Sequence, residues 1–260
     1  MEKEKSIPKM IIVLFLFSFI GVIFFSYKIL TWRLNTIENQ QIKEKIDEKI
    51  KIITPQYKND EQNYIIDFAS LKEINEDTIA YLNVNNTKIS YVVVKGKDND
   101  YYLNHNFEKK YNLAGWVFAD YHNRFDESDK NIIIYGHNMK DNSMFATLKN
   151  TLEKEWAENK ENQTITLVTE KKEYHYKVFA TYQIEAEDYY IKTNFATDEE
   201  YEDFITTLKS RSIYNYEVEV SKSDQILTLS TCSDSGDNRI VLHAKLLESF
   251  SGKKSDFILQ

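Results

Sequence analysis

A mainly β domain behind an N-terminal membrane helix is the architecture that the residue pattern predicts. Short β-rich runs separated by polar turns recur from Lys88 to Leu247, as in a sandwich or barrel. Ahead of them lies an uncharged run, Met10 to Tyr27 (MIIVLFLFSFIGVIFFSY), long enough to cross a bilayer as a helix. The composition is that of an ordered chain: of 260 residues, 42% are hydrophobic and 28% charged, with only 6 Gly and 2 Pro. That excludes collagen-like and low-complexity readings. A net charge of −8 argues against a nucleic-acid partner held by bulk electrostatics. One cysteine in the whole chain excludes an intrachain disulfide and a Cys-based zinc site.

Taken in order, residues 1–9 read as a cytoplasmic N-terminus and residues 10–30 as a transmembrane anchor. Lys3, Lys5 and Lys9 precede the span, but Lys28 and Arg33 follow it, so charge bias orients it only weakly. A cleaved signal peptide would need an Ala-x-Ala type site, and the first alanine is Ala69, which favours an anchor. Residues 31–60 carry Ile42, Ile46, Ile50 and Ile53 at helical spacing. The expectation is a helix ended by Thr54-Pro55, serving either as a stalk or as a helix packed on the domain.

Residues 61–250 form the main domain, followed by a tail at 251–260. It opens with a helix over Phe68 to Glu76. Strands are expected at Lys88–Val94, Gly115–Ala119, Asn131–Tyr135, Thr164–Val168, Tyr174–Tyr182, Glu217–Val220, Ile226–Cys232 and Arg239–Leu247. Eight strands in one domain point to a closed sheet. Two segments break the rhythm and read as helical, Ser143–Trp156 and Thr197–Ser210. In the second, Thr197 and Glu200 make a capping box, and Tyr201, Phe204, Ile205 and Leu208 fall on one face.

The chemistry converges on the one thiol. Cys232 closes the run Ile226-Leu-Thr-Leu-Ser-Thr-Cys, where alternation sets Thr228, Ser230 and Cys232 on one face. A polar loop follows, so the cysteine stands at a rim where a substrate can reach it. A thiol of unperturbed pKa ~8.5 needs nearby positive charge to act as a nucleophile. Arg239, which opens the next strand, is a candidate source. His137 emerges after the apolar strand Asn131-Ile-Ile-Ile-Tyr and a glycine and is favoured for acid-base work. His243 is its rival, because alternation puts it on the strand face of Arg239 and Val241. His175 reads as a surface strand residue. No spacing of His and carboxylates suggests a metal, and no cofactor is expected.

These residues resemble a known family. Thr228-Leu-Ser-Thr-Cys232, then Asn238-Arg239-Ile-Val, with Ile134-Tyr-Gly-His137-Asn-Met-Lys upstream, look like a class B sortase. Asn99-Asp-Tyr-Tyr-Leu-Asn104, Met144-Phe145 and Asp188-Tyr-Tyr-Ile-Lys-Thr-Asn-Phe195 match as well, and the likeness runs from about Phe68 to Leu247. Sortases are membrane-anchored cysteine transpeptidases of Gram-positive bacteria. The resemblance implies a closed eight-stranded β-barrel with N-terminal helices and a helix inserted before the seventh strand. It implies Cys232 as nucleophile, His137 as acid-base group and Arg239 as guanidinium. Asn99, Leu103, Tyr190, Ile191 and Ser230 would border the peptide groove.

The implied partners are the sorting-signal peptide of a surface protein, a cell-wall precursor amine and the membrane itself. The catalytic domain would lie on the extracellular face. Two departures from the family pattern are a short connection from Cys232 to Arg239 and Ser233 where an acidic residue often stands. The rival readings are a hydrolytic cysteine protease and a non-catalytic membrane-tethered binding module. Papain-like enzymes place cysteine before histidine, the reverse of the order here, and the caspase Gln-Ala-Cys signature is absent.

Overall fold

The computed structural model describes residues 9–53, 63–126, 128–185, 187–232 and 238–251. The chain begins with one unbroken helix, α1 (Lys9–Asp47). It is the one described helix long and apolar enough to cross a membrane, and its most apolar window buries nothing in the protein. The C-terminal part is different. Asn39, Ile42 and Ile46 are buried, Asn39 Nδ2 donates to the Gly115 carbonyl at 3.1 Å, and Asn112 Nδ2 donates to the Asn35 carbonyl at 3.0 Å. This half of the helix is packed on the domain.

The helix ends sooner than its isoleucine spacing predicts. Ile50 and Ile53 belong to β1 (Ile50–Ile53), which pairs antiparallel with β2 (Asn63–Ile66). A three-residue spacing is compatible with a helix, but here the pairing partner decides. Thr54-Pro55 lies outside the described residues. Helix α2 (Phe68–Ile74) follows, capped by Asp67, whose side chain accepts from the Ser70 amide.

The barrel strands are β3 (Thr78–Val84), β4 (Ser90–Val94), β5 (Phe118–Ala119), β6 (Asn131–His137), β7 (Thr164–Thr169), β8 (Lys172–Glu185), β9 (Ile226–Cys232) and β10 (Asn238–Ser251). They close in the order β10-β8-β7-β3-β4-β5-β6-β9, with β9 pairing β10 to complete the ring. The expected eight-stranded closure is therefore observed, with one substitution among the strands. β3 was not foreseen, because Thr-Ile-Ala-Tyr-Leu-Asn-Val alternates poorly. Glu217–Val220 is not a strand. A closed barrel leaves no free edge for it to join, and Glu217 has a positive φ of 55°.

The segment Ser143–Trp156 is not one helix. It forms a 3-10 turn, Ala146–Leu152, and a short α3 (Lys154–Glu158), separated by Glu153 in extended conformation. Helix α4 (Asp198–Arg211) lies between the sixth and seventh barrel strands, as predicted, with Thr197 accepting from the Glu200 amide. Its buried face is Tyr201, Phe204, Ile205 and Leu208. These cover the outside of the sheet against Phe179, Tyr182, Ile184 and Val241, while a separate core that includes Trp116, Phe118, Leu227 and Leu229 fills the barrel.

Candidate active site

His137 is the last residue of β6 and is 3% exposed. The glycine before it is required by packing: a Cβ on Gly136 would stand 2.6 Å from Cγ of Phe145. Phe145 in turn donates its amide to the His137 carbonyl at 2.9 Å, so the residue is held on both sides. The His137 Nε2 lies 2.7 Å from the Leu103 carbonyl oxygen. A carbonyl only accepts, so Nε2 carries a proton. In the neutral ring Nδ1 is then the atom that takes up or returns a proton.

The Leu103 carbonyl is itself positioned by a close approach. Gly115 has φ +56°, and a Cβ there would come within 2.3 Å of the Tyr102 oxygen and 2.7 Å of the Leu103 oxygen. Only glycine fits. Since Asn39 of α1 holds the Gly115 carbonyl, the N-terminal helix braces the loop that orients the imidazole.

Cys232 reaches this histidine through strand pairing. β6 and β9 run parallel, and His137 is the Cα partner of Cys232 in their register. Neighbouring strands are ~4.8 Å apart, so the two backbones are in direct lateral contact. On the other side of β9, β10 pairs antiparallel with Val241 opposite Ser230. Arg239 lies two residues before Val241 on β10, and Cys232 two residues after Ser230 on β9. Arg239 Nε is buried and has no hydrogen-bond partner among the described residues. The connection at 233–237, including Ser233, lies outside the described residues.

The other histidines are otherwise employed. His243 is fully buried, and desolvation pushes its pKa down to about 3, which leaves it neutral and unable to serve as an acid near pH 7. His175 is not a surface residue: it is 6% exposed, with Nε2 2.7 Å from the Glu173 carboxylate. It faces a partner and an aromatic, Phe250, that sequence alternation did not reveal. His122 pairs with the buried carboxylate of Asp120 at 2.8 Å.

The five expected groove residues fall into three situations. Leu103 and Ile191 are half-buried. Asn99 is spent on a loop: its amide donates to Asp120 at 2.8 Å and its oxygen accepts from the Tyr121 amide. Tyr190 and Ser230 are brought together, hydroxyl to hydroxyl at 2.9 Å, and both are fully buried. Sequence reasoning passed over Asp120, which also accepts from the Tyr135 hydroxyl at 2.9 Å. Nothing local marks a lone aspartate after a strand as a buried junction. Among the described residues no three His, Cys, Asp or Glu gather as a metal site.

The closed mixed barrel carries a histidine and a cysteine at paired positions of adjacent parallel strands and an arginine on the next strand, residue types that thiol-dependent acyl transfer can use. A family model for the sortase domain matches residues 82–247. Sortase B of Listeria monocytogenes is 39% identical over 184 residues, which are 70% of this chain and 74% of that protein. Sortase B of Staphylococcus aureus is 31% identical over 230 residues, 87% of this chain and 92% of the other. The crystal structure of sortase B from B. anthracis in complex with AAEK1 superposes with a TM-score of 0.71 at 34% identity, covering 83% of this chain and 99% of that one. The chain belongs to the sortase family, with class B members as its relatives, and is a sortase-type cysteine transpeptidase.

Proposed function

We propose that this enzyme cleaves a sorting signal near the C-terminus of surface proteins, holds the acyl part as a Cys232 thioester, and passes it to a cell-wall amine. The observation that carries the reading is the register pairing of His137 with Cys232 on adjacent parallel strands, with Arg239 near the start of β10, the strand that pairs with β9 on its other side. The thiolate attacks the scissile carbonyl, and the tetrahedral intermediate collapses as the protonated His137 gives its proton to the departing amine. An incoming amine then attacks the thioester, loses its proton to His137, and releases Cys232 as thiolate. Arg239 donates to the oxyanion or to a substrate carbonyl. Its Nε, buried and without a hydrogen-bond partner among the described residues, supports that role, since a buried N–H without an acceptor is costly until a ligand supplies one.

Leu103 and Ile191 supply walls of the peptide groove, while Asn99, Tyr190 and Ser230 act from behind it by fixing the loops and strand that form it. The half-exposed aliphatics touch the peptide and the buried polar groups set its bed. Residues 10–30 anchor the enzyme as a single span, which the long exposed apolar stretch of α1 supports, and the domain of residues 61–250 lies on the extracellular face, where its proposed substrates are.

The test is peptide turnover by the full-length protein in detergent, with and without an added amine. Transfer product in the presence of amine is expected, and hydrolysis product alone in both reactions would make the enzyme a protease instead. Cys232→Ala is expected to abolish turnover while leaving the melting temperature nearly unchanged, and retained turnover would exclude the thioester.

A further inference from the structure

Outside the catalytic trio, the described structure contains a chain of buried polar side chains that the mechanism leaves unused. It lies on the outer face of the sheet, beneath the segment that leads into α4. Its proton directions follow from a single fixed point. Asn131 Nδ2 lies 3.0 Å from the Lys192 carbonyl and 3.5 Å from the Tyr190 carbonyl. Carbonyls only accept, so this end of the amide is the NH2 and Oδ1 faces the other way.

Asn131 Oδ1 therefore accepts from the Thr228 hydroxyl at 2.7 Å. That uses the threonine's only proton, so at 2.9 Å its oxygen must accept from His243 Nδ1. Nδ1 then holds the ring proton, Nε2 offers a lone pair, and the Tyr182 hydroxyl 2.8 Å away donates to it. Tyr182 accepts in turn from the Tyr189 hydroxyl at 2.8 Å. The circuit leaves the segment at Tyr189 and re-enters it at the carbonyls of Tyr190 and Lys192, crossing β8, β10, β9 and β6 on the way.

We infer that His243, Thr228 and Asn131 are positioning residues: their one-way circuit clamps residues 189–192 onto the strands that carry His137, Cys232 and Arg239, and so sets the groove for the peptide. The inference rests on the proposed peptide transfer. Three things support the clamp's connection to catalysis. The three strands that bear the catalytic residues each pass through it. Tyr190, inside the clamped segment, bonds Ser230 at 2.9 Å, two residues before Cys232. Ile191, also inside it, packs against both apolar cores. A protonated His243 would have to donate from both nitrogens, leaving the Tyr182 proton without its acceptor. Burial without a counter-charge holds the ring neutral, the only state in which every link is made.

Two substitutions at one position separate positioning from bulk. Thr228→Val keeps the shape and removes both links, whereas Thr228→Ser keeps both. In full-length protein, Thr228→Val should raise KM for the best-cleaved peptide of a library screen by roughly tenfold. kcat and the rate of Cys232 alkylation by iodoacetamide should stay within about twofold, and amides 189–192 should exchange hydrogen faster. Thr228→Ser should restore both KM and exchange. Unchanged KM and exchange in folded Thr228→Val would overturn the inference, as would an equal fall of kcat and alkylation rate. If Thr228→Val does not fold, Tyr189→Phe, at the half-buried far end of the circuit, should raise KM about threefold, and an unchanged KM there would overturn it. Absence of any wild-type turnover would defeat the proposed function instead, and the exchange rates would still decide the clamp.

Discussion

At His243 burial alone holds the imidazole at a pKa of about 3, against ~6.5 in an unfolded chain. The folded-state value is the lower one, so its neutral form stabilises the fold fully above pH ~6.5. That stability is lost as pH falls from there toward 3, at up to about 1.4 kcal/mol per pH unit. Urea midpoints should therefore drop more steeply between pH 7 and pH 4.5 in the wild type than in His243→Gln. Parallel curves would mean that the ring is not buried neutral. Gly136→Ala is a second residue-scale case. Its Cβ would meet Phe145 at 2.6 Å, and overpacking of this kind costs about 1–3 kcal/mol. Because His137 is the next residue, turnover should fall together with the melting temperature, and a variant with wild-type values of both would show that the ring gives way freely. The Tyr-Gly-His motif was legible as a pattern. Its glycine was not explicable without Phe145, which a separate loop brings to it.

Among the elements, α4 was the most legible, because cap and apolar face are both local. Thr197 accepts from the Glu200 amide at 3.2 Å, and the four apolar residues that sequence put on one face are the four buried ones. Thr197→Ala should cost about 1 kcal/mol and lower the melting temperature by roughly 2–4 °C. A scanning calorimetry trace identical to the wild type would show that the cap is redundant. Three of the misread elements share a cause. β3, the end of α1 and the Glu217 run were decided by which strand was available to pair, and local periodicity carries no such information. Glu217-Val-Glu-Val alternates well, but every barrel strand already has two neighbours.

At the scale of the molecule, α1 has two different surfaces divided along its length. Residues 10–30 expose apolar side chains, whereas Asn39, Ile42 and Ile46 are buried against the domain. Deleting residues 1–30 should move the protein from the membrane pellet to the supernatant while peptide turnover persists. Extending the deletion to residue 47 should destroy turnover, because Asn39 no longer holds the Gly115 loop behind Leu103 and His137. Fractionation followed by the peptide assay reads both, and an active variant lacking residues 1–47 would contradict the bracing role.

From residue order alone come the apolar span, the β-rich character, the capped helix before the seventh barrel strand and the short motifs that mark the family, since each is written in contiguous residues. Only the folded chain decides that His137 and Cys232 sit side by side, that His243 is sealed and neutral, and that Glu217–Val220 stays unpaired. Backbone hydrogen bonds bear no label of their partner, and burial depends on what covers a face. Both are settled when the barrel closes.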